Sequence, residues 1–172
     1  MNYNYGFHID STPKTLCDNL IEYKNLINTK NPVIQLFVNI DKKYYEIYKK
    51  FATQLKKNNI NVIVHASYTL NMAQKWDEYS WWINQLVLEI NLANKIGAKF
   101  IVTIPALSNR NHFTTYQQSI SYYGKLLELG ERIGCNPTLE FIGTTKQIYN
   151  FELCEKFLDN FVSKPTMVID AY

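Results

Sequence analysis

Long apolar runs are missing from this 172-residue chain, and no window supplies the ~18 apolar residues that a membrane helix needs. The opening MNYNYGFHIDS has no basic region leading into an apolar one, so no secretory leader is read there and an unsecreted, intracellular protein, cytoplasmic or nuclear, with no membrane partner is expected. Cysteine is scarce. Cys17, Cys135 and Cys154 are odd in number, widely spaced and without a CxxC pair, which excludes a disulfide framework and a structural zinc knuckle and suits a reducing compartment. Neither sign of charge dominates: 18 Lys+Arg against 15 Asp+Glu leave +3, too little to mark a nucleic-acid binder by charge alone, although it permits that role. There is no Gly/Ser linker, low-complexity tract or short fixed-period repeat. With 47% hydrophobic residues, the chain reads as one domain over 1–172 with a real core.

Short runs rich in Val, Ile and Phe alternate with longer segments of helical period, the pattern of a parallel sheet with helical crossovers. Strands are predicted over 5–9 (YGFHI), 33–38 (VIQLFV), 61–66 (NVIVHA), 99–104 (KFIVTI), 137–142 (PTLEFI) and 166–170 (TMVID). Thr12 is placed as an N-cap with Pro13 at the first helical position, and Leu16, Leu20, Tyr23 and Ile27 keep one apolar face. The second helix carries Tyr45, Tyr48, Ala52 and Leu55 on its stripe and turns Lys42, Lys49 and Lys56 outward. A third runs from about Asp77 through Leu86, Ile90 and Ala93 to a C-terminal Gly97, with Trp76, Trp81 and Trp82 at its start read as core packing. Later helices are expected around 116–133 and 145–161.

Such alternation suits an open doubly wound sheet or a (β/α) barrel. A GxGxxG turn or a Walker loop after the first strand would favour the open sheet, and HIDSTPKTL contains neither. A barrel of TIM type is therefore preferred. In either architecture the site lies at the carboxyl ends of the strands, where His8, Asp10, His65, Tyr68, Glu140 and Asp170 fall. Imidazole and carboxylate form a ligand set that suits Zn or Mn, and a bound metal brings the pKa of water down towards ~7 for hydrolysis.

The stretch VHASYTLNMA resembles the H-A-x-Y-x-x-N-L-A signature at the end of the third strand of the endonuclease IV family. That family comprises the zinc-dependent apurinic/apyrimidinic endonucleases of the xylose-isomerase-like barrel superfamily. GFHI, VIQLF, NKIGAKFIVTIPA, TLEF and MVIDAY resemble further strands of the same family, so the similarity spans essentially the whole chain. It implies zinc ligation by His65, Glu140 and Asp170, with Glu140 bridging two zincs as the catalytic carboxylate, and DNA contacts from Tyr68 and His8. It also implies duplex DNA with abasic sites as partner, cut 5′ to a flipped-out abasic nucleotide.

Two departures alter that expectation. Ile104 stands where the family has a zinc-ligand histidine, and an alkyl group cannot coordinate zinc; His112 is too far along the loop to replace it without its own orienting partners. Six strands also make an incomplete barrel, against the eight of a closed one. The expected protein is thus an endonuclease IV-like domain with absent or impaired catalysis, whose open edges take a partner chain or a second copy. The alternatives are a sugar-phosphate isomerase or epimerase using a single Mn or Mg, and a non-catalytic DNA-binding or assembly module.

Overall fold

Six parallel strands form in the computed structural model, close to where the Val/Ile/Phe runs place them: β1 (Gly6–Ile9), β2 (Val33–Phe37), β3 (Asn61–His65), β4 (Phe100–Thr103), β5 (Asn136–Ile142) and β6 (Met167–Asp170). Between them lie α1 (Leu16–Leu26), α2 (Tyr45–Asn58), α3 (Trp81–Ile96), α4 (Tyr116–Ile133) and α5 (Phe151–Leu158). The structure describes residues 6–9, 12–26, 29–70, 77, 79–104, 115–142, 151–162 and 165–170, without the side chains of 142, 151–154 and 169–170.

The strands pair in chain order, β1 to β6, all parallel. This order decides between the two architectures left open by periodicity. A doubly wound sheet reverses direction at a switch point, whereas a sheet that never reverses, with crossovers of one hand, puts every helix on the same face. The result is a curled, incomplete barrel with helices outside.

Alternation along the strands agrees. In β2, Ile34 and Leu36 are fully buried towards the helices while Val33, Gln35 and Phe37 are half-buried on the inner face. The main core is the outer interface: Ile34, Leu36, Val62, Val64 and Ile101 meet Phe51, Leu55, Leu86 and Ile90 from the helices. Phe51 completes the α2 stripe of Tyr48 and Leu55, while Tyr45 and Ala52 are only partly buried. Lys42, Lys49 and Lys56 are exposed, as expected.

Helix ends follow local chemistry. Gly97 (φ 93°) and Gly134 (φ 91°) end α3 and α4 in the left-handed conformation, which costs glycine no Cβ clash. At α4 the Thr115 hydroxyl accepts from Gln118 N–H while the Gln118 side chain accepts from Thr115 N–H, a complete capping box.

Three local expectations are corrected. α3 starts at Trp81, not Asp77, because the Asp77 carboxylate accepts from Tyr79 N–H and Ser80 Oγ–H, each at 3.0 Å, and closes a turn before the helix. Helix α1 likewise starts at Leu16, after a turn in which Thr15 N–H donates to Thr12 C=O at 3.0 Å. Trp82 packs in the core, but Trp81 is 57% exposed, since the first helical position lies off the buried arc of Trp82, Ile83, Leu86 and Ile90. Trp76, Ile27 and the predicted helical residues 145–150 lie outside the described residues.

Candidate metal centre

β3 ends on His65 and β5 carries Glu140, separated by β4. In a flat sheet, strands two apart are roughly 9.5 Å from each other. Here His65 Nε2 and Glu140 Oε2 lie 3.2 Å apart, so the two side chains lean towards each other across β4 on the inner face. Both are buried, His65 at 2% exposure and Glu140 at 9%.

The other ring nitrogen fixes the chemistry of this contact. His65 Nδ1 lies 2.7 Å from Ala66 C=O. A carbonyl only accepts, so Nδ1 carries the proton and, in the neutral ring, Nε2 presents its lone pair to the site. That lone pair then faces a carboxylate oxygen, and two acceptors this close require a proton or a cation between them. Two ligand atoms about 2.0–2.1 Å from a tetrahedral zinc stand roughly 3.3 Å apart, near the observed separation. An imidazole with its Nδ1–H held by a backbone carbonyl is also the usual second-sphere support of a metal ligand. The two donors therefore fit two corners of a divalent-cation site.

Asp170 ends β6 opposite Ile142 in the register, two positions beyond the Glu140–Val168 pair; its side chain lies outside the described part of the structure. Among the described residues no three His, Cys, Asp or Glu side chains cluster at metal-binding distance. Ile104, after β4, is buried and puts an alkyl group at the strand end between His65 and Glu140. Asp10 and His112 fall outside the described residues. Thr138 contributes a buried hydroxyl without a hydrogen-bond partner among the described residues, two positions before Glu140 on the same strand face.

Four rings line the amino-terminal side of the site. His8 and Phe37 have centroids 5.0 Å apart, Phe37 and His65 5.0 Å, Phe37 and Tyr68 5.1 Å, and His65 and Tyr68 4.9 Å. Gln35 Nε2–H donates to His8 Nδ1 at 3.4 Å. His8 is exposed and Tyr68 is 63% exposed, so the two expected DNA-contacting residues reach one aromatic surface, joined by Phe37. Sequence reasoning placed Phe37 on a strand but missed this role. Its signal was the β2 alternation, which puts Gln35 and Phe37 on the same face as His65.

Glu89 was also missed. On α3 it sits within the apolar stripe of Leu86, Ile90 and Ala93, an acidic residue where periodicity demands burial. It is 1% exposed, accepts from Ser67 N–H at 3.0 Å through Oε2, and accepts from Gln85 Nε2–H at 2.9 Å through Oε1. Burial pushes its pKa up, partly offset by the Gln85 and Ser67 hydrogen bonds and by the nearby His65. Two open cavities lie elsewhere: about 510 Å³ at the amino ends of β4 to β6, and about 500 Å³ between α2 and α3. Neither is lined by His65 or Glu140.

Sequential parallel strands, outer helices and a polar inner face at the strand carboxyl ends define an incomplete TIM-type barrel. Residues 30–169 match the family described as Xylose isomerase-like TIM barrel, and the chain belongs to that family. No curated protein matches it. Solved structures similar to it include a D-tagatose 3-epimerase-like protein, at 15% identity and TM-score 0.69 over 95% of this chain and 64% of that one. D-psicose 3-epimerase, crystallised in the presence of D-fructose, gives 11% identity and TM-score 0.68 over 98% of this chain and 62% of that one. Endonuclease IV from Thermus thermophilus gives 16% identity and TM-score 0.66 over 96% of this chain and 62% of that one. At these identities the likeness is one of fold, and the chain spans less than two thirds of the length of each of these proteins. Among the described residues no helix is long and apolar enough to cross a membrane.

Proposed function

We propose that this chain is an endonuclease IV-type domain that holds zinc through His65, Glu140 and Asp170, engages duplex DNA at abasic sites, and has weak or no phosphodiesterase activity of its own. The observation that carries the reading is the His65–Glu140 contact at 3.2 Å with Nδ1 already committed to Ala66 C=O. A bound divalent cation supplies charge neutralisation on phosphoryl oxygens and lowers the pKa of water. His65 and Glu140 hold it, Glu140 being the carboxylate nearest the chemistry, and Tyr68, His8 and Phe37 offer an aromatic surface for a nucleotide displaced from its stack. Ile104 removes one donor from the set that the resemblance implies, and that supports impaired hydrolysis. The reading includes an intracellular setting and a partner, a second copy or another chain, along the edge strands β1 and β6.

Zinc-loaded protein incubated with duplex DNA bearing one abasic site tests this. Expected is salt-dependent binding that prefers abasic over intact duplex and weakens in Tyr68→Ala, with little nicking. Vigorous nicking abolished by His65→Ala or Glu140→Ala overturns the impaired-catalysis part; equal binding of intact and abasic duplex overturns the DNA part. Light scattering that shows a monomer alone removes self-association.

The epimerase neighbours favour a second reading, a single-metal sugar isomerase or epimerase with Mn or Mg on Glu140 and Asp170. Thermal stabilisation by ketohexoses with Mn, absent with abasic DNA, selects it.

A further inference from the structure

Ala66 C=O and Ser67 N–H belong to one planar peptide unit and point in opposite directions. On the inner side, the carbonyl accepts from His65 Nδ1–H at 2.7 Å. On the outer side, the amide donates to Glu89 Oε2 at 3.0 Å. A buried carboxylate on α3 is thus joined to the imidazole through a single peptide, and the imidazole continues at 3.2 Å to Glu140. Gln85 holds the other Glu89 oxygen at 2.9 Å, so the carboxylate is oriented at both ends.

We infer that Glu89 is a positioning residue for His65: through the Ala66–Ser67 peptide it strengthens the acceptor that holds Nδ1–H, and so keeps the ring turned with Nε2 towards Glu140. The negative charge of Glu89 against Ser67 N–H polarises the peptide and makes Ala66 C=O a stronger acceptor for Nδ1–H. With Glu89 1% exposed, little solvent screens this effect. The same bond fixes the turn that carries Tyr68 at the next position, so ring and turn are oriented together.

The inference rests on the reading of His65 as a metal-directed ligand, but its first test uses the metal-free chain. The chain has three histidines, so the His65 ring nitrogens are assignable by long-range 15N–1H spectra with His8 and His112 variants. Expected in the parent chain is an Nδ1–H proton that is shifted downfield and slow to exchange with water. In Glu89→Gln, which keeps size and an amide oxygen but loses the charge, the Ser67 amide proton moves upfield and Nδ1–H exchanges faster. Glu89→Ala moves both further if it folds. An unchanged Nδ1–H exchange rate in folded Glu89→Gln overturns the inference, as does a parent chain with no proton on Nδ1. A zinc titration then separates the two ideas. A fall of up to about tenfold in Glu89→Gln is expected, below the ~10- to 100-fold that losing a direct outer partner costs, because Ala66 C=O stays in place. Failure of the parent chain to bind zinc sinks the metal reading while leaving the Nδ1–H result to stand or fall by itself.

Discussion

The two faces of the sheet differ in kind. Towards the helices, Ile34, Leu36, Val64 and Ile101 are at most 1% exposed, and Phe51, Leu86 and Ile90 close over them at 0%. Towards the inside, the neighbouring residues Gln35, Phe37 and Ile63 are only half-buried, and the polar groups of His65, Thr138 and Glu140 gather there. The same strands serve both, one residue in two. Stability therefore belongs to the outer interface and the candidate site to the inner face, with Glu89 the polar exception that reaches from the first to the second. Tyr48 does a related service on α2: its hydroxyl accepts from Asn39 N–H at 2.7 Å and steadies the segment after β2.

If this division holds, truncating a residue of the outer interface has the largest effect. Phe51→Ala is expected to cost about 3–5 kcal/mol of unfolding free energy, against about 1–2 kcal/mol for the half-buried Phe37→Ala. Urea titration of both variants measures this, and equal losses break the comparison. Next comes Glu140→Gln, whose amide donates to the His65 Nε2 lone pair and so keeps the fold within about 1 kcal/mol. Its zinc affinity is expected to drop by roughly 100-fold, a comparison of calorimetric titration with urea melts. A variant that loses stability and affinity together makes the pair structural instead.

Ile104→His sharpens the inner face from the other side. Placing an imidazole at the β4 end should raise zinc affinity by about tenfold, the equivalent of ~1.4 kcal/mol. No gain means that the β4 end does not reach the cation. The smallest effect is a pH slope. Burial raises the Glu89 pKa above its ordinary value, so the native chain holds this proton more tightly than the unfolded one. The stability linked to this group is complete below the unfolded-state carboxylate range and declines as pH rises through the raised folded value. Glu89→Gln flattens that decline. Urea midpoints across the acid range read the difference, and parallel curves remove Glu89 from the linkage.

Much of the fold was legible because its signals are local. Each of the six apolar runs became a strand with ends within one residue of prediction, and Gly97 and Gly134 end helices. The choice between barrel and open sheet was not decided by those signals, since strand order is a property of pairing and not of any window. Position alone brought His65, Glu140 and Tyr68 to the strand ends, but the 3.2 Å contact depends on a strand order that sets only β4 between them, and Phe37 and Glu89 gain their roles from neighbours distant in sequence. Trp81 and Trp82 show the converse: similarity of side chain predicted one fate, and helical geometry divided them. The resemblance implied the barrel shape, which the family match bears out, and it marked Ile104 as a position where a donor was expected.

The most direct measurement is the metal content of the purified chain beside His65→Ala and Glu140→Gln, by elemental mass spectrometry after dialysis. Expected is zinc at fixed stoichiometry in the parent chain and its loss from both folded variants. A parent chain that stays metal-free when offered zinc, or variants that retain the metal in full, would contradict a cation site on the inner face.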